Sequence, residues 1–293
     1  MKGLLLDRPM GRRELLGWGA AALSLRAGAR QKVLYFTRSA GYEHSPVKRE
    51  GSRLALSEQT LTEMGRRAGF DVECTKDGRV FDGDLSQYDL FAFYTTGDLT
   101  QPDALQTPPM TAAGKRKFLD AIAAGKGFVG FHSATDTFHS KGPANENQKD
   151  LDPYIAMLGG EFIIHGAQQE ASLLITSKHP SVRDLGMGEG IAFKDEWYAL
   201  KNFAPDLHVV LVQETKMMKG ECYQRPNFPC TWARAHGKGR VFYTSLGHRE
   251  DIWTNPFFQT ITMGGMAWAL GNVQADITPN IDKVTPQASQ LRY

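Results

Sequence analysis

Apolar residues fall along this chain in short blocks whose internal spacing alternates between strand-like and helix-like. Lys32-Val33-Leu34-Tyr35-Phe36 is a continuous β-rich run, the pattern of a strand buried on both faces. A loop, Ser39-Ala40-Gly41-Tyr42-Glu43-His44-Ser45, follows it. Leu54, Leu61, Met64 and Ala68 then recur at helical spacing until Gly69 ends the helix. Phe70 to Cys74 and Leu90 to Tyr94 predict two more strands. A proline-rich connection, Pro102 to Pro109, leads to a helix from about Thr111 to Ala124. Gly127 to Phe131 is apolar enough for a central strand. Strands alternating with helices in this way predict a mainly parallel sheet with helices on both faces.

The second half is less regular. Tyr154 to Leu158 reads as a short helix, and Ser172 to Thr176 and His208 to Gln213 as strands. Thr231 to Ala235 and Arg240 to Ser245 are two further strands, joined by the hairpin sequence His236-Gly237-Lys238-Gly239. The last helix is well marked: Asn255 can cap it, Pro256 suits its first turn and Gly271 stops it. Phe257, Ile261, Met266 and Trp268 give it a broad apolar surface. Residues 272–293 are polar with two prolines and predict an extended C-terminal tail. No linker divides residues 30–271, which read as one α/β domain.

Composition narrows the partners. The 293 residues are 41% hydrophobic and carry a net charge of +2, with the basic residues scattered. No basic stripe argues for nucleic acid. No run of about 20 apolar residues argues for stable membrane insertion. Residues 1–29 have the order of an export signal: Arg12-Arg13, an apolar run from Leu15 to Leu23, and a small-residue site at Ala27-Gly28-Ala29. Paired arginines before a weakly apolar run point to the twin-arginine route, hence a periplasmic or secreted protein whose mature chain begins near Arg30. Of three cysteines, Cys74 is expected to pack as a small hydrophobe. Cys222 and Cys230 flank a loop that a disulfide would close in an oxidising compartment. There is no CxxC to suggest a zinc knuckle.

In doubly wound sheets ligands bind beyond the carboxyl ends of the strands. His44, after the first strand, and His132, directly after the fourth, meet that rule, as does His248 after the strand ending at Ser245. With His165, Asp136, Asp195 and Glu196 they form the candidate site. His139 lies in a polar stretch. His179 reads as a turn residue, and His208 and His236 as strand-edge or hairpin surface. His132, His165 and His248 are candidates for acid/base work or for ligating a divalent metal such as zinc, because imidazole titrates near neutrality and binds metals when neutral. None shows His-x-x-x-His spacing. Asp136 or Glu196 would serve as a further base, ligand or orienting group. Asp195-Glu196-Trp197-Tyr198 sets acids before aromatics, a combination suited to a sugar's hydroxyls and C–H faces. The same residues also fit a tryptophan that anchors the loop in the core. The single Gly41 after the first strand is no phosphate-binding loop.

The chain resembles the ThuA-like (trehalose utilisation) family. The resemblance rests on Val33 to His44, Gly130-Phe131-His132-Ser133-Ala134-Thr135-Asp136, Leu158-Gly159-Gly160 with Phe162 and His165, and His179-Pro180. It continues through Asp195-Glu196-Trp197-Tyr198, Gly239-Arg240-Val241-Phe242-Tyr243 and Leu246-Gly247-His248. It implies an α/β, flavodoxin-like fold of the class I glutamine amidotransferase type. Relatives with that fold set a nucleophilic cysteine on a sharp strand-to-helix turn. Here the turn offers His132 and Ser133, so amidotransferase or esterase chemistry is not expected. The resemblance implies a small-molecule carbohydrate as ligand. The leading expectation is a hydrolase, lyase or isomerase acting on a sugar or keto-sugar, using His132, Asp136, His165, Glu196 and His248, with Tyr42, His44, Asp195 and Trp197 binding substrate. The alternative is a non-catalytic sugar-binding module.

Overall fold

The computed structural model describes residues 30–186, 188 and 190–292. The export signal expected over residues 1–29 lies outside them. In chain order the elements are β1 (Gln31–Phe36), α1 (Leu56–Ala68), β2 (Phe70–Thr75), β3 (Leu90–Phe93), α2 (Ala112–Ala123) and β4 (Gly127–Phe131). Next come α3 (Pro153–Leu158), β5 (Glu161–His165), β6 (Gln169–Ile175), β7 (Gly190–Asp195), β8 (Tyr198–Lys201) and β9 (His208–Gln213). β10 (Phe228–His236), β11 (Gly239–Thr244), α4 (Glu250–Thr254), α5 (Pro256–Ala269) and α6 (Ile281–Val284) complete the chain.

One nine-stranded sheet has the order β2-β1-β3-β4-β11-β10-β9-β6-β7. Its first five strands run parallel, in the 2-1-3-4-5 order of flavodoxin-like sheets. From β11 onward each strand pairs antiparallel with its neighbour, so a ribbon of four strands extends the parallel half. The expected α/β fold is therefore present. β5 and β8 form a separate antiparallel pair.

The uninterrupted apolar strands are explained by cover on both faces. Along β1, Val33 and Tyr35 join one buried cluster with Leu61 of α1 and Ile261, Met266 and Trp268 of α5. Leu34 and Phe36 join the opposite cluster with Phe118 and Ile122 of α2 and Tyr154 of α3. α5 starts as its sequence predicts, the Asn255 side chain accepting the Phe257 N–H at 2.9 Å ahead of Pro256. It then runs so close to its neighbours that a Cβ on Gly264 would lie 2.4 Å from the Ser181 backbone. One on Gly265 would lie 2.4 Å from the Phe242 ring. The hairpin between β10 and β11 closes on Gly237 and Lys238, with His236 paired to Gly239.

Two expectations need correction. Residues beyond 272 do not hang free: Asn280 Oδ1 accepts the Val209 N–H at 2.6 Å, and Arg225 donates to the Ala288 carbonyl at 2.7 Å. Ile281 and Ala288, two apolar residues in a polar stretch, are buried there. Cys222 and Cys230 are free thiols. Cys230 sits in the core facing the Leu211 carbonyl, which removes it from the loop that a disulfide would have closed. Among the described residues no helix is long and apolar enough to cross a membrane.

Candidate functional site

Three loops at the carboxyl ends of parallel strands converge. The loop after β1 carries His44 into a short 3-10 turn, Ser45–Val47, and is tied to the loop after β3 by the Ala40 N–H to Thr96 carbonyl bond at 2.9 Å. β4 runs directly into a 3-10 turn, His132–Asp136. His132 is wholly buried with φ +40°, a left-handed backbone that a side chain adopts only when its surroundings enforce it. Those surroundings are identifiable: its carbonyl accepts the Tyr243 hydroxyl at 2.7 Å and its Nδ1 lies 2.8 Å from the Ser245 carbonyl. The loop after β11 carries His248.

Asp195 fixes that third loop. It is fully buried, and its carboxylate accepts the N–H groups of Gly247 at 2.8 Å, Arg249 at 3.0 Å and Glu196 at 3.0 Å. Burial pushes its pKa up, and the backbone donors oppose the shift. The Gly247 carbonyl is held from the other side by the hydroxyl of Tyr94 and the indole of Trp253, at 3.0 and 2.9 Å. Gly247 has φ +120°, which only glycine adopts without strain.

Glu196 is the centre of the arrangement. Its Oε2 lies 3.0 Å from His248 Nδ1 and 3.6 Å from His132 Nε2, and its Oε1 lies 3.2 Å from His165 Nδ1. One donor atom from each of His44, His132, Glu196 and His248 lies within 4.8 Å of every other. The rings of His44, His132 and His248 stand at 4.9–5.2 Å, nearly perpendicular to one another. Although close to the carboxylate, His132 Nε2 and His248 Nδ1 make no hydrogen bond, and His44 Nδ1 has no partner either. Burial, reinforced by His132 and His248, lowers the His44 pKa to about 2 and leaves the ring neutral. Burial alone would raise the Glu196 pKa, but His132 and His248 override it and keep the carboxylate ionised.

The structure sorts the residues expected from sequence. It brings His44, His132, His165, Glu196 and His248 together. His44, expected on the substrate side, belongs to the inner cluster. His165, expected among the metal-binding histidines, sits outside that cluster with its side chain 44% exposed. Tyr42 lies at the rim, 69% exposed, its ring edge-on to His44 at 4.9 Å. Asp195 and Trp197 are not positioned to bind substrate. The first is consumed by backbone N–H groups, and the second is buried with its indole donating to the Gln169 carbonyl at 2.8 Å. Asp136 is turned away to His139 Nε2 at 2.7 Å, and His139 Nδ1 meets Glu161 at 3.1 Å. Those carboxylates, Asp136 first, raise the His139 pKa to about 9. His179 opens a turn as expected and is buried there, stacked on Phe242, whereas His208 is buried rather than at the surface and bonded to Ser177.

Tyr198, noted from sequence only as an aromatic beside the two acids and not placed among the site residues, belongs to the site. Its hydroxyl lies 3.3 Å from His44 Nε2 and its ring packs 4.2 Å from that of His132. The signal was the strand alternation: with Trp197 anchored in the core, its neighbour Tyr198 faces the other way, into the site. Ser133 is buried and its hydroxyl has no partner. With His132 Nδ1 at the Ser245 carbonyl and Nε2 toward Glu196, neither ring nitrogen activates it.

A flavodoxin-like sheet with a histidine–glutamate cluster at its strand ends defines an α/β protein whose turn directly after β4 carries an imidazole, His132. Residues 32–269 match the ThuA family, described as trehalose utilisation, and the chain belongs to that family. Among solved structures it is similar to a ThuA-like protein from Bacteroides uniformis, at 18% identity, 87% of this chain, 97% of that one and a TM-score of 0.61. It is similar also to one from Parabacteroides merdae, at 19% identity, 85% and 92% coverage and a TM-score of 0.59. At those identities the likeness concerns the fold. No curated protein matches the chain.

Proposed function

We propose that this protein is a carbohydrate-processing enzyme, a hydrolase, lyase or isomerase acting on a sugar or keto-sugar related to disaccharide use. The observation that carries the reading is the convergence of His44, His132, His165 and His248 on Glu196, at the strand ends where this fold places its ligands. The family's link to trehalose utilisation supplies the substrate class. His165 is the group best placed to exchange a proton with a bound substrate, since its ring reaches solvent while touching the site carboxylate. Tyr42 offers an exposed ring at the rim for stacking against a sugar face.

The test is to incubate the protein with trehalose, cellobiose and their 3-keto forms and to follow products by chromatography. Turnover that is lost in His132→Ala and strongly reduced in His165→Gln supports the enzyme. Saturable sugar binding without turnover of any of these compounds would instead make the protein a binding module, the reading favoured by the missing nucleophile, and would overturn the proposal.

A further inference from the structure

We propose that His44, His132 Nε2, His248 Nδ1 and Glu196 Oε2 form a binding site for one divalent transition-metal ion, zinc being the natural probe. The proposal concerns the same site but does not depend on the sugar chemistry. It departs from the expectation from sequence in its ligands, with His44 taking the place of His165.

Four observations carry it. The first is distance. Zinc bonds of about 2.0–2.1 Å in a tetrahedron set neighbouring donors roughly 3.3–3.4 Å apart. The two Glu196 contacts, 3.0 Å to His248 and 3.6 Å to His132, straddle that spacing. The second is the lack of partners. Buried polar atoms are ordinarily hydrogen-bonded, yet His44 Nδ1, His132 Nε2 and His248 Nδ1 have none. His44 and His132 are 2% and 0% exposed. Three ring nitrogens without hydrogen bonds in one small volume are explained by a cation in their midst.

The third is the outer shell. Metal-binding histidines usually engage their other ring nitrogen with a carbonyl, carboxylate or water, which fixes ring and tautomer. His132 Nδ1 does so with the Ser245 carbonyl at 2.8 Å, so that nitrogen carries the proton and Nε2 presents its lone pair. The His248 loop is pinned by Asp195 at both Gly247 and Arg249. The fourth is donor chemistry. Three imidazoles and one carboxylate suit zinc and its first-row neighbours, whereas calcium and magnesium prefer all-oxygen sites. His165, on the opposite oxygen of Glu196 and half exposed, lies outside the ligand set.

The experiment uses the full chain, purified without chelator, with metal content measured by mass spectrometry. The protein is then stripped, and zinc is returned in a calorimetric titration. Cobalt(II) reconstitution gives an independent reading on the wild type, since a four-coordinate nitrogen–oxygen site yields visible d–d bands. One metal per chain and a tetrahedral cobalt spectrum are expected. His132→Gln, His248→Gln and His44→Gln should each weaken zinc binding by more than about 100-fold, exceeding the loss typical of outer-shell changes. His165→Gln, which removes only a contact to the far oxygen of Glu196, should weaken zinc binding by no more than the roughly 10- to 100-fold of an outer-shell change. A wild-type protein that takes up neither zinc nor cobalt would overturn the site, and so would zinc binding that persists in His132→Gln and His44→Gln. Metal bound without turnover of any sugar leaves this site standing and removes the proposed function. A protein that takes up neither zinc nor cobalt yet turns over sugar does the reverse.

Discussion

Asp195 touches no substrate-facing group, yet it should control the site. Replacing it with alanine removes one carboxylate that accepts three N–H groups, those of Gly247 and Glu196 in fully buried surroundings and that of Arg249 nearer solvent. Hydrogen bonds to a charged acceptor are each worth about 1.5–3 kcal/mol, and a buried donor left unpaired costs about 1–3 kcal/mol. The Arg249 N–H can turn to water, so its share is small. The two buried donors together set an expected loss of about 3–5 kcal/mol for Asp195→Ala. A domain of this size shifts by roughly 2–4 °C per kcal/mol, so the melting temperature should fall by about 6–20 °C. Asp195→Asn keeps one acceptor oxygen and loses the other, and should cost about 1–3 kcal/mol. Urea unfolding of the stripped protein measures both, free of any contribution from metal. Because the released loop carries His248, zinc affinity should also drop about 10- to 100-fold in either variant. An Asp195→Ala protein within about 1 kcal/mol of wild type would refute the reasoning, since it would mean that the three bonds are readily replaced by water.

His139 has its pKa raised from 6.5 to about 9 by Asp136 and Glu161, so it contributes stability that is complete below pH 6.5 and is lost as pH rises through 9. The stability difference between wild type and His139→Gln should therefore shrink across that window, and a constant difference would refute the assignment. Burial pushes the Cys74 and Cys230 thiols up to about 12, so at about pH 8 a thiol reagent should reach Cys222 first in the native protein and all three only on unfolding. A count that rises after reductant treatment would instead reveal a disulfide. Tyr42→Ala, at a ring 69% exposed, should leave stability within about 0.5 kcal/mol. If the ring stacks on sugar, loss of an aromatic contact worth about 0.5–1.5 kcal/mol should raise KM roughly two- to tenfold. An unchanged KM would remove Tyr42 from the binding surface.

The parallel half of the fold was legible because continuous apolar strands such as Val33 to Phe36 alternate with helices that end on glycine, and that alternation has few solutions. β5, β7 and β8 were not, because Glu161–His165, Gly190–Asp195 and Tyr198–Lys201 mix charged and apolar residues with no clear period. The site shows the same division. The strand-end rule found His44, His132 and His248, since each follows an element that the pattern reveals. It could not rank His44 against His165 as a ligand, because that depends on which side of Glu196 each ring reaches, a matter of tertiary packing. Nor could it see that Asp195 and Trp197 point inward while Glu196 and Tyr198 point to the site. A one-residue change in register exchanges these roles, and β7 and β8, which set it, were the strands left unread.

In the strand order, β11 stands between β4 and β10, joining the parallel half to the antiparallel ribbon, although residues 239–244 come last of all the strands along the chain. A growing polypeptide therefore makes both half-sheets before the piece that unites them, and until then each presents an unpaired central edge. Such edges invite pairing with other chains. The loop that trails β11 delivers His248, while His132 rides on one flank of the gap and Glu196 follows a strand on the far side. The four-residue cluster is thus complete only once the strand that seals the sheet is in place.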